Sequence, residues 1–131
     1  TNQNFILDKN SNNLKSLEKS EIIITDNSNI VFEYMFVFKR PIIYINHKEK
    51  VHNIDKDKIN IPTIEEEFKS LFGNIMNVND LKNLPQLCKK LIINNNISDQ
   101  KVNSFAKEYL SNIGNSAFFA ANYLSKKSKS E

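Results

Sequence analysis

The chain has 131 residues, of which 40% are apolar and 25% charged, a balance that predicts one globular domain and excludes disorder throughout. Its 18 basic and 15 acidic residues leave a formal charge of +3 and are spread along the chain. No basic stripe stands out, so nucleic acid is not expected as a partner.

A single cysteine, Cys88, excludes an intramolecular disulfide framework, and among Leu87, Lys89, Lys90 and Leu91 it reads as a small apolar residue on a helix. The longest apolar stretch, Ile30 to Phe38, is interrupted by Glu33 and is about half the length of a membrane-spanning helix. Thr1-Asn2-Gln3-Asn4 has neither the basic start nor the apolar core of a signal peptide. The missing initial Met is read as a processed protein or a piece of a longer one.

Phe5-Ile6-Leu7 predicts a brief buried strand, closed by Asp8 and an Asn/Ser cluster. Leu14 and Leu17 have helical spacing within Asn13 to Lys19. The continuous apolar run that ends at Thr25 predicts a central parallel strand buried on both faces. Asp26-Asn27-Ser28-Asn29 is a turn of four good helix-capping residues, and Ile30 to Phe38 predicts a helix buried all round except at Glu33. Arg40-Pro41 stops that helix, and Ile42 to Ile45 predicts a second strand, parallel to the first and joined to it by a right-handed crossover.

His47 to Asn60 is charged and predicts a mobile loop. Thr63 and Glu66 form a capping box for a helix that Gly73 ends, and Asn74 to Val78 predicts a last short strand. Helices are then expected over Asp80 to Ile93, truly beginning near Asn83 with Pro85 in the first turn, over Ser98 to Ser111, and over Asn115 to Lys127 after a stop at Gly114. The expected division is a single domain with an α/β part over 1–78, C-terminal helices over 79–127 and a tail over 128–131.

In an open parallel sheet, ligands bind beyond the carboxyl ends of the strands. Thr25 to Asn29 is such a turn: the free N–H groups of the next helix and its dipole can hold a phosphate without a basic side chain. Ser28 and Asn29 add a hydroxyl and an amide, and Glu33 can accept hydrogen bonds from a ribose diol. The same residues also suit a plain cap, with Glu33 facing solvent.

The string Ser20 to Tyr34, followed by Lys39-Arg40-Pro41-Ile42-Ile43-Tyr44, resembles the C-terminal nucleotide-binding half of the CDP-glycerol glycerophosphotransferase family. That family's pattern runs through an aliphatic strand, Thr-Asp-Tyr-Ser-Ser, two or three apolar residues, Phe, an acidic residue, and later Lys-Pro before a second strand. Thr25, Asp26, Ser28, Phe32, Glu33 and Pro41 fit it directly. Glu21 stands for an Asp, Asn27 for the tyrosine, Asn29 for the second serine and Arg40 for the lysine; Asn29 keeps the N–H but loses a hydroxyl. Gly114-Asn115-Ser116-Ala117 is similar to the family's Gly-x-Ala segment before its final helix.

The resemblance implies an α/β, Rossmann-like parallel sheet flanked by helices, like the C-terminal half of a GT-B fold, with a helical C-terminal segment. It implies phosphate and nucleotide contacts at Thr25, Asp26, Ser28, Asn29 and Glu33, a CDP- or UDP-linked donor as substrate, and no separate cofactor. It further implies an acceptor domain on the same polypeptide, with no counterpart here, and a cytoplasmic enzyme peripherally held at the inner membrane face. The alternatives are another nucleotide-sugar enzyme on this scaffold, or a non-catalytic α/β interaction module.

Arg40 is a candidate phosphate contact, and its place at a helix end equally suits carbonyl binding. His47 and His52 lie with Glu49 and Asp55 in the charged stretch, but lack the helix that carries a two-histidine zinc motif and read as loop residues. Phe105, Tyr109, Phe118, Phe119 and Tyr123 have helical spacing and predict core packing, or else a partner surface. No nucleophile and base pair or Gly-rich phosphate loop is recognisable, so the chain by itself is expected to be inactive.

Overall fold

The computed structural model describes residues 4–46, 58 and 61–128. The charged stretch 47–60, apart from Lys58, therefore lies outside the described residues, as do His47 and His52. The elements run α1 (Leu14–Lys19), β1 (Ile23–Thr25), α2 (Ile30–Phe38), β2 (Ile42–Asn46), α3 (Ile64–Phe72), β3 (Gly73–Asn77), a 3-10 helix (Val78–Asn83), α4 (Leu84–Ile93), α5 (Asp99–Tyr109) and α6 (Ser116–Lys127). None of the described helices is long and apolar enough to cross a membrane.

The three strands form one parallel sheet in the order β1-β2-β3. Ile23 pairs with Ile42 and Thr25 with Tyr44, while Ile42 pairs with Gly73 and Asn46 with Asn77. The strand, helix, strand expectation for β1, α2 and β2 is met, and all three carboxyl ends lie at one edge. The protein is thus a small α/β domain with a parallel sheet flanked by helices.

Alternation along β2 sends Ile42 and Tyr44 to one face. There they join Leu17, Val31, Tyr34, Met35, Phe68, Phe72, Val102 and Phe105 in a single core, so α1, α2, α3 and α5 all contribute to its cover. Phe68 is its hub, with ring centroids 4.5 Å from Phe32, 5.0 Å from Phe72 and 5.4 Å from Phe105, the last edge-on. Ile43 points to the opposite face and is also buried. Asn95, just past α4, donates to the Lys39 carbonyl at 3.0 Å, so α4 returns from β3 toward the amino ends of the strands.

Several expectations are corrected. Phe5, Ile6 and Leu7 form no strand and are 73%, 89% and 65% exposed. Three residues supply too few ladder bonds to hold an extended run, and the chain beyond is organised locally, with Asp8 accepting from Asn10 at 2.9 Å and from Ser16. β1 is an edge strand rather than a central one, which leaves Ile24 45% exposed. A doubly apolar run predicts burial on both faces only where helices cover both, and at β1 one face is left open. On α2 the exposed face includes Val37 as well as Glu33.

The start expected near Asn83 is met: α4 begins there with Pro85 in its first turn, and the residues before it, from Val78 to Asn83, form a 3-10 helix. α5 ends at Tyr109, so Gly114 is not its cap but lies in the following turn, at φ +80°. Phe105 is core and Tyr109 packs on it, whereas Phe118, Phe119 and Tyr123 are exposed: their ring contacts are with each other and with Lys127 of the same helix, and α6 adds no residue to the core cluster.

Gly73 is needed for close approach rather than for its φ of −84°. It ends α3 and starts β3 without a loop, and a Cβ there would meet the Lys69 carbonyl oxygen at 2.6 Å and the Tyr44 ring at 2.6 Å. Gly73→Ala is expected to lower stability by about 1–3 kcal/mol, the usual cost of overpacking, read as a fall in melting temperature. An unchanged melting temperature would mean that Tyr44 does not lie against β3.

Candidate functional site

Thr25 ends β1 half-buried, paired with Tyr44, and the chain turns outward through Asp26, Asn27, Ser28 and Asn29, all exposed. Asn29 is already helical at φ −69°, ψ −11°, and its side chain caps nothing. The Phe32 N–H donates to the Asn29 carbonyl at 3.1 Å, while Ile30 N–H reaches Ser28 Oγ and Val31 N–H reaches the Ser28 carbonyl only at 3.5 Å. Those last two contacts are at the limit of a hydrogen bond.

The start of α3 is different. Thr63 Oγ1 accepts from the Glu66 N–H at 3.2 Å and Glu66 returns a bond to the Thr63 N–H at 2.9 Å, closing the expected capping box. The α3 start is closed by its capping box, whereas at the α2 start, at the carboxyl edge of the sheet, the Ile30 and Val31 N–H groups have only contacts of 3.5 Å. Glu33 is in the first turn of α2 and exposed. The five residues Thr25, Asp26, Ser28, Asn29 and Glu33 therefore share one strand end, turn and first helical turn.

Arg40 is not brought there. It follows α2 at the amino end of β2, and its Nη1 donates to the carbonyls of Glu18 at 2.6 Å and Ser20 at 2.7 Å, with the guanidinium carbon 5.4 Å from the Phe38 ring centroid. Its helix-end role is real, but the carbonyls belong to the exit of α1 rather than to α2. Tyr34 Oη donates to the same Ser20 carbonyl at 2.9 Å, so Arg40 and Tyr34 clasp the entry to β1. A nine-residue helix, about 13 Å at 1.5 Å per residue, separates this clasp from the turn.

Two residues that the motif did not mark do reach the turn. Lys69 Nζ, from α3, donates to Asn27 Oδ1 at 3.4 Å and lies 5.1 Å from the Tyr44 ring centroid. At the adjacent strand ends Asn46 Nδ2 donates to Asn77 Oδ1 at 3.4 Å. A lysine in an amphipathic helix carries no sequence signal of where its ammonium ends, since that depends on how α3 lies over the sheet. Among the described residues, no group of three His, Cys, Asp or Glu side chains comes together to hold a metal ion.

Comparison with protein-family models, with curated proteins and with solved structures finds no match for this chain.

Tyr44 is 3% exposed, and burial pushes its phenol up from 10.0 to about 12. A raised phenol means that the folded state disfavours the phenolate, so this contribution to stability is complete below pH 10 and is lost as pH rises through about 12. Tyr109 is raised into the same range, first by its hydrogen bond to Glu67. In an ultraviolet titration, the phenolate component removed by Tyr44→Phe is therefore expected to have its midpoint near 12. A midpoint near the ordinary value would mean that water reaches the ring freely.

Proposed function

We propose that this chain is the C-terminal, donor-nucleotide-binding part of a CDP-glycerol:polymer glycerophosphotransferase-like enzyme of the GT-B kind, acting in cell-envelope polysaccharide synthesis. The observation that carries the reading is the α2 start: an exposed turn at the carboxyl end of a parallel strand, holding the family-like Thr25-Asp26-Asn27-Ser28-Asn29 string and leaving its helix donors without a good internal cap.

In this reading the donor diphosphate lies on the backbone N–H groups at the start of α2, with the Ser28 hydroxyl adding a hydrogen bond and Glu33 turned toward the ribose. The chemistry asked of this half is electrostatic. Negative charge grows on the departing nucleotide phosphate as the bond to the transferred group breaks, and fixed dipoles stabilise it without reorganising. The acceptor site and the base belong to the other half of the enzyme, which works in the cytoplasm at the inner membrane face. Asn27 and Asn29, where the family pattern has tyrosine and serine, leave a UDP-linked donor as the second reading.

Calorimetric titration with CDP-glycerol, CDP and UDP-sugars tests the site. A charge-assisted hydrogen bond contributes about 1.5–3 kcal/mol, so Ser28→Ala is expected to weaken nucleotide binding roughly ten- to a hundredfold. Asn29→Pro is expected to do worse, because it removes an N–H. If Ser28 only caps the helix, Ser28→Ala lowers stability by about 1 kcal/mol and leaves any nucleotide affinity untouched.

The proposal also expects no transferase turnover from the 131-residue chain alone. Polymer formation or nucleotide release by the purified chain would show that the acceptor half is not required.

A further inference from the structure

We draw no further inference here: the strongest candidate, the exposed aromatic face of α6 formed by Phe118, Phe119 and Tyr123, is an unpartnered helix face, and nothing in the structure shows what covers it.

Discussion

The structure depends on the pairing of β2 with strands on both sides. Ile42, Ile43 and Tyr44 are all buried, and β2 forms parallel ladders with β1 over three residues and with β3 over five. A parallel neighbour cannot be reached through a tight turn, so each ladder obliges the chain to cross over, and each crossover lays a helix against the sheet. α2 and α3 are those helices. Phe32, Phe36 and Phe68 then meet over Ile42 and Tyr44, with Phe105 of α5 completing the cluster.

Parallel pairing also divides the molecule's labour between its two ends. At the amino ends, polar groups are spent on holding the chain: Arg40 and Tyr34 converge on Ser20, and Lys39, left-handed at φ 50°, ties the end of α2 to Asp99 and Asn95. At the carboxyl ends the Ile30 N–H after the turn and the side-chain contacts of Asn46 with Asn77 and of Lys69 with Asn27 are all long, at 3.4 to 3.5 Å. Groups that are fully bonded in the folded chain have nothing to offer a ligand. The contrast between the Thr63 box and the Asn29 start locates the available donors at the turn.

The apolar surface is equally uneven. Phe68 and Phe105 are enclosed, while Phe118, Phe119 and Tyr123 on α6, Ile75 on β3 and Phe5 to Leu7 lie open to solvent. Periodicity alone treats the aromatics of α5 and α6 alike. What separates them is position: α5 lies against α2 over the sheet, and α6, which follows the turn at Asn112 and Gly114, places no residue in the core cluster.

The sequence by itself determined the α/β class, the parallel β1-α2-β2 unit, the Thr63 cap and the turn at Thr25 to Asn29, because each is written within a few neighbouring residues. Strand runs follow from consecutive β-branched residues, and caps from side chains within reach of their own backbone. Tertiary structure alone decided which strand is central, which aromatic helix is buried, that Arg40 clasps the amino end, and that Lys69 arrives at Asn27. Those outcomes depend on where separately formed elements come to rest against the sheet, and a long side chain such as Arg40 or Lys69 takes its partner from that placement rather than from its neighbours in the chain.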